Sequence, residues 1–212
     1  MNYFLVEKVL FLHSFKRYIF MNIIGITGTL GAGKGTIVEY LIHKFNFHHY
    51  SVRGYLIEEA NRRGLPINRD TFVVVANDLR AHHSPSYITD ELFKQAESKG
   101  FDAIIESVRT PGEVESLRKN PHFVLLAVDA DPKIRYKRIV SRNSETDHVS
   151  FDTFMENERR EMSSTDPNCQ NVGKCMQMAD FVLQNNGDFD RLHDQIDEVM
   201  EKLSKRYGKA NG

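Results

Sequence analysis

Between Gly28 and Thr36 the chain gathers residue types suited to gripping phosphate: Gly28, Gly31, Ala32, Gly33, Lys34, Gly35 and Thr36, in the pattern G-x-x-G-x-G-K-G-T. Glycines let a backbone curl until successive N–H groups converge on one anion. A helix that starts at such a turn adds the positive end of its dipole. Lys34 can neutralise the β- and γ-phosphates of a nucleotide, and a hydroxyl at this end of the loop can ligate magnesium. Thr36 offers that hydroxyl, because Gly35 stands where Ser or Thr is usual. A plain strand-to-helix turn is the bland alternative for any glycine-rich run. Here a β-rich run, Ile23 to Thr27, precedes the loop, and Ile37, Tyr40, Leu41 and Phe45 follow at helical spacing. ATP and magnesium are the expected cofactors, with the whole run as the ATP cradle and Lys34 as its catalytic cation.

Phosphoryl transfer needs charge neutralisation and in-line positioning more than covalent chemistry. Cations and an acid are available for it. Glu106 ends an apolar run, Ala103 to Ile105, at the edge where ligands bind in open α/β sheets. A carboxylate there suits magnesium or its water, and Arg109 suits an acceptor's phosphate; an exposed strand-end acid is the plainer reading. Arg135, Arg138 and Arg142 are spaced i, i+3, i+7 and share a helix face. Arg138 and Arg142 are catalytic candidates, although a solvated basic face would look the same. A nucleic-acid patch fits less well, since Tyr136 alone stands among these cations and no series of aromatic stacking platforms is interleaved with them. Beyond them a polar stretch from Asn143 leads to a helix ending in Glu158, Arg159, Arg160 and Glu161. A mobile lid over about 143–170, bringing Arg159 to the phosphates, competes here with a charged surface helix.

These side chains need a scaffold, and the periodicity supplies one. Strand signals lie at 23–27, 48–52, 103–105, 123–128 and 181–183. Helical patterns lie at 34–45, 55–63, 70–81, 88–98, 111–118, 131–142 and 189–205, with Thr89 or Asp90 expected to cap the fourth. Pro111 and Pro132 suit first-turn positions, where a missing N–H costs nothing. Strands alternating with helices predict an α/β, three-layer fold with a parallel five-stranded sheet and a small helical lid. No internal repeat or low-complexity linker interrupts it, so residues 21–212 read as one domain.

Composition bounds the rest. The 212 residues suit one such domain, and 41 % apolar with 27 % charged residues is ordinary for a globular protein. A net charge of −1 provides no basic field for nucleic acid or an anionic membrane. Cys169 and Cys175 lack zinc spacing and form no framework of disulfides, so they are expected as reduced thiols in a cytoplasmic protein. The pairs His48, His49 and His82, His83 read as surface histidines rather than metal ligands. Phe45, Phe47 and Tyr50 read as core, and Asn185, Asn186 and Gly187 as a turn or a wall beside adenine. Residues 1–20 are apolar and aromatic but broken by Glu7, Lys8, Lys16 and Arg17, too short of the roughly 20 apolar residues that span a bilayer. They are expected to be an upstream extension, with Met21 as a functional start or, alternatively, with a membrane-surface helix ahead of it.

Taken together these motifs resemble the nucleoside monophosphate kinases and their relatives, the dephospho-CoA kinases among them. The cradle matches throughout; the family's D-G-x-x-R-T element is matched in part, by Glu106, Arg109 and Thr110, and its R-x-x-x-R lid entrance by Arg138 and Arg142. A nearer likeness is to archaeal adenylate-kinase-like proteins and the kinase-like domain fused to some deoxycytidylate deaminases. It is carried by E-E-A-N-R-R-G-L-P at 58–66, V-R-T-P-G-E-V-E at 108–115, A-V-D-A-D-P-K-I-R-Y-K-R-I at 127–139 and the stretch from Asn171 to Gly187. The H-x-E and P-C-x-x-C signatures of zinc deamination do not occur. The resemblance implies a P-loop NTPase fold and ATP-dependent transfer of a phosphoryl group to a small phosphorylated acceptor.

One element departs from the family. Its acceptor loop commonly reads S-x-G-D-x-[LI]-R, whereas Ser51, Val52, Arg53, Gly54, Tyr55, Leu56 and Ile57 occupy that place here. The acid and the final arginine are both missing, and Arg53 offers a phosphate contact from a new position. A nucleotide or deoxynucleotide monophosphate kinase needs no general base, which suits this loop. A dephospho-CoA kinase phosphorylates a hydroxyl and needs a carboxylate near it, for which Glu58 or Glu59 would have to serve. A non-catalytic ATP-binding regulatory module is the third reading.

Overall fold

The computed structural model describes residues 21–142 and 149–207. The extension over 1–20, the first part of the expected lid at 143–148, and 208–212 lie outside the described residues.

Five strands alternate with helices: β1 (Ile23–Gly28), α1 (Lys34–Phe45), β2 (His48–Ser51), α2 (Val52–Arg62), α3 (Arg69–His82), α4 (Tyr87–Lys99), β3 (Ala103–Glu106), α5 (Pro111–Leu117), β4 (Phe123–Asp129), α6 (Pro132–Arg142), α7 (Phe151–Met162), α8 (Val172–Gln177), β5 (Phe181–Gln184) and α9 (Phe189–Tyr207). All pairings are parallel, in the order β2-β3-β1-β4-β5. β1 is buried at every position, as its unbroken apolar run demands of a strand covered on both faces.

Alternation along the strands divides the core in two. Ile23, Ile105, Phe123 and Leu125 face a layer built from α2, α3, α4, α5 and α8. Ile24, Ile26, Ile104, Leu126 and Val128 face α1 and α9. The result is the three-layer α/β sheet expected from the sequence. β1 lies between β3 and β4, so the chain turns to opposite sides of it, and the ends of these strands open a crevice.

Local chemistry sets the element boundaries. The Asn68 side chain caps α3 by accepting from the Thr71 N–H, and Ser51 caps α2 by accepting from the Gly54 N–H. α5 begins with a reciprocal capping box: Thr110 accepts from the Glu113 N–H and Glu113 accepts from the Thr110 N–H. Pro111 and Pro132 occupy first turns, as expected. α4 starts earlier than predicted, with Ser86 at the cap position. Thr89 and Asp90 sit inside its first turn, where the Thr89 hydroxyl donates back to the Ser86 carbonyl. The short helix α8 was not expected at all. It is capped by Asn171, which accepts from the Lys174 N–H.

Candidate active site

The loop after β1 is shaped by contacts that leave no room for side chains. Gly33 has φ +106°, and a Cβ there would stand 2.2 Å from the Asn185 amide nitrogen. That amide donates to the Ala32 carbonyl at 2.8 Å, from the end of β5. Gly28 has φ +142°, with its own Cβ position 2.1 Å from the Val128 carbonyl. The Thr29 hydroxyl donates to Asp129 at 2.8 Å, tying the loop to β4. Lys34 folds back over the loop, donating to the carbonyls of Gly28 at 2.9 Å and Thr29 at 2.8 Å. Burial, reinforced by the nearby Arg109 and Arg69 and opposed by Glu106 and Glu161, pulls its ammonium down to about 7. A lysine so poised gains most from an incoming polyphosphate.

A cavity of about 940 Å³ extends from this loop. Gly31, Gly33, Lys34, Gly35 and Thr36 line its floor. Arg138 and Arg142, with Asn185, Gly187 and Phe189, also line the cavity, and Arg138 is hydrogen-bonded to Asn185. Arg69, Arg109, Glu161 and Gln170, joined by hydrogen bonds, and Arg53 over the Phe72 ring make a second, arginine-rich lobe of the lining. Gly28 and Ala32 shape the loop from behind rather than lining the cavity; Ala32 is fully buried. Glu106 and Thr36 both line the cavity. Their hard oxygen donors suit magnesium, which binds proteins through one or two such groups plus phosphate and water. No group of three metal-ligating side chains occurs among the described residues, so the histidine pairs build no metal centre there.

The His49 Nε2 donates to the Glu106 carboxylate across 3.1 Å. Burial would raise the Glu106 carboxyl, but the His49 hydrogen bond and the charges of His49, Lys34 and Arg109 overcome it and hold the group below the usual carboxylate range. It is therefore an anion in this site. His49 is an exposed residue, as expected, yet its ring reaches this carboxylate.

Two placements differ from expectation. Arg135 does not join Arg138 and Arg142 at the cavity: it is 2 % exposed. It donates to the carbonyls of Ala130 at 2.7 Å and Leu30 at 3.2 Å, pairs with Glu158, and lies over the Phe154 ring. Arg135 braces the phosphate loop from behind. Arg159 is exposed and does not line the cavity. The inward face of α7 carries Phe154, Glu158 and Glu161 at i, i+4, i+7, and Arg159 is turned from it by one residue's rotation. The expected lid thus brings a carboxylate, not an arginine, to the site. Arg138 reaches the site's edge, donating to the Asn185 carbonyl at 2.9 Å.

Several further side chains build the site without a motif in the sequence to mark them. Glu161 accepts from Arg69 and, at 2.7 Å, from Arg109, whose same nitrogen donates to Gln170 at 2.6 Å. Burial would raise the Glu161 carboxyl; Arg109 and Arg69 outweigh it and lower it. Arg80, 1 % exposed, donates to fully buried Glu113 at 2.8 Å, and Glu113 also accepts from the Arg109 backbone N–H at 2.6 Å. One carboxylate therefore fixes both α3 and the turn after β3. Glu58 and Glu59, the possible bases for a hydroxyl acceptor, do not line the cavity. Glu59 is instead held near 2 by Arg62, with Arg63 adding to it.

Comparison with known proteins agrees with this geometry. A family sequence model described as AAA domain matches residues 24–163. A UPF0200 protein of Methanococcus maripaludis strain C7 is 30 % identical over 190 residues, spanning 87 % of this chain and 99 % of its own. Among solved structures, TT1252 from Thermus thermophilus superposes with a TM-score of 0.58 at 18 % identity, over 86 % of this chain and 98 % of the other. Shikimate kinase from Bacteroides thetaiotaomicron does so with a TM-score of 0.56 at 14 % identity, over 87 % and 99 %. The fold is that of the P-loop kinases.

Proposed function

The chain belongs to the AAA-domain family and to the UPF0200 proteins, and on that premise we propose that it is a magnesium- and ATP-dependent phosphotransferase, a nucleotide or deoxynucleotide monophosphate kinase. The observation that carries this reading is one cavity that joins a phosphate loop to a wall of arginines, Arg53, Arg69 and Arg109. ATP sits with its phosphates in the loop from Gly28 to Thr36 and its base toward Asn185 and Gly187. Thr36 and Glu106 would hold magnesium, which would neutralise phosphate charge there. The wall of arginines holds the acceptor's phosphate. An oxygen of that phosphate attacks the γ-phosphorus, the bond to the β–γ bridging oxygen breaks, and ADP leaves. Lys34, Arg138 and Arg142 neutralise the transferred group.

A phosphate acceptor is favoured over a hydroxyl acceptor by the state of the local carboxylates. A hydroxyl needs a base with proton affinity to spare. Glu161, the carboxylate in the acceptor lobe, is engaged by two guanidinium groups and lowered by them. It is a poor base. This argues against dephospho-CoA kinase chemistry. No helix among the described residues is long and apolar enough to cross a membrane. The free thiols of Cys169 and Cys175 fit a cytoplasmic setting with a small-molecule substrate.

The test is ADP release from magnesium–ATP against AMP, CMP, UMP, GMP, dCMP, dTMP and dephospho-CoA. Stimulation by a monophosphate is the expected result. Stimulation by dephospho-CoA alone would transfer the assignment to that kinase. ATP binding with no stimulation across the panel would leave a regulatory ATP-binding module.

A further inference from the structure

Glu161 holds a position where a ligand's anion would be expected. Its two carboxylate oxygens are taken by two different arginines, Arg69 from the start of α3 and Arg109 from the turn after β3. All three side chains line the cavity and are between 14 % and 24 % exposed. Arg53, on the same wall, lies over the Phe72 ring at 5.4 Å and has no carboxylate partner among the described residues. Arg80 adds no net charge, because Glu113 matches it inside the core. Glu39 lines the cavity too and pairs with none of these arginines.

The charge of the cluster formed by Arg53, Arg69, Arg109 and Glu161 is therefore that of three guanidiniums less one carboxylate. Two positive charges remain. A phosphomonoester carries about −1.5 to −2 at pH 7, so the lobe is matched to one such group. A diphosphate brings a further negative charge against Glu161, and this four-residue cluster holds no further cation to meet it. Repulsive elements of this kind set specificity as much as attractive ones do.

Resting on the acceptor reading above, we infer that Glu161 is a specificity-determining residue that restricts the acceptor lobe to a single phosphomonoester and rejects diphosphates. It stays anionic among its arginines, so it acts as a fixed charge rather than as a proton carrier. Its place on α7 gives it a firm mount: Glu158, one turn earlier on the same face, pairs with buried Arg135.

The experiment measures binding, not turnover, on the full chain with the phosphate loop filled by magnesium and a non-hydrolysable ATP analogue. Nucleoside 5′-monophosphates and the matching 5′-diphosphates are titrated by calorimetry. Wild type is expected to prefer monophosphates. Glu161→Gln removes the charge and keeps the shape, and should move the diphosphate-to-monophosphate affinity ratio about tenfold toward diphosphates, the size of one desolvated charge contact. Arg69→Gln should move it the opposite way, which checks the charge count on a second variant. A ratio unchanged in Glu161→Gln, or shifted toward monophosphates, overturns the inference. That failure with ADP release intact in wild type leaves the kinase reading standing. Wild type that binds no monophosphate at all sinks both.

Discussion

The Asn185 amide occupies the space that a side chain at Gly33 would need, 2.2 Å from its Cβ position. The contact joins the end of β5 to the phosphate loop, since the same amide holds the Ala32 carbonyl. The loop's curl is thus set from outside as well as by its own glycines.

Gly33→Ala should therefore abolish ATP binding. The alanine meets both a left-handed backbone and a buried amide, and backbone strain of this kind alone costs about 1–3 kcal/mol. Gly35 contrasts with it. A Cβ there meets nothing within 4 Å, so Gly35→Ser should fold and bind ATP normally. Calorimetric ATP titration and thermal melting of both variants check the pair; equal behaviour would mean that Asn185 does not shape the loop.

Arg80 and Glu113 form a buried ion pair, 1 % and 0 % exposed at their side chains. Removing one partner strands the other charge in the core, a loss of about 3–5 kcal/mol. Arg80→Met should lower the urea midpoint accordingly, and the double variant Arg80→Met, Glu113→Leu should recover only part, because Glu113 also caps α5 and holds the Arg109 N–H. Full recovery in the double variant would show the cap and the Arg109 contact to be of little consequence.

How far the sequence could be read follows from the range of each interaction. The strands and the phosphate loop are local signals, with apolar runs and glycine spacing confined to a few residues, and they emerged where expected. Arg135 was misjudged although a local signal existed. It stands four residues before buried Ile139 and so shares the inward face of α6. Arg159 failed for the same reason, since the phase set by buried Phe154 turns Glu158 and Glu161 inward instead. The long-range contacts of Glu113, Asn185 and His49 carried no local mark. Their partners lie 33, 153 and 57 residues away in sequence, at Arg80, Ala32 and Glu106. Only the folded sheet brings them together.

Ser107, just beyond Glu106, has φ +72°. Glycine adopts such a left-handed backbone without steric cost, and serine does not. The turn is retained because the N–H groups of Ser107 and Val108 both reach the Ile26 carbonyl, at 2.9 and 3.0 Å. Ser107→Gly relieves strain and adds unfolded-state freedom, for a net gain of about 0.5–1 kcal/mol. A rise of about 1–4 °C in the melting midpoint is expected for a chain this long. An unchanged or lower midpoint would mean that the serine side chain compensates the strain through contacts at the cavity.

Lys34 links nucleotide binding to protons. Burial, with Arg109 and Arg69 adding to it, brings its pKa from 10.5 down to about 7 in the ligand-free protein. In the unfolded chain it keeps its ordinary value, about 10.4. Between pH 7 and 10 the unfolded state thus holds more protons, and the lysine's contribution to stability rises with pH across that window. Below pH 7 the ammonium is charged in both states and its full desolvation cost remains. A bound triphosphate reverses the balance, because opposite charge favours the protonated form. ATP binding at pH 8.5 should therefore take up close to one proton, read as a difference in apparent enthalpy between buffers of unlike ionisation enthalpy. Lys34→Met should remove that difference along with much of the affinity. Tight ATP binding with no proton uptake in wild type would mean that the lysine is already charged before the nucleotide arrives, and that the two carbonyls over which it folds, with Glu106 and Glu161, outweigh its burial.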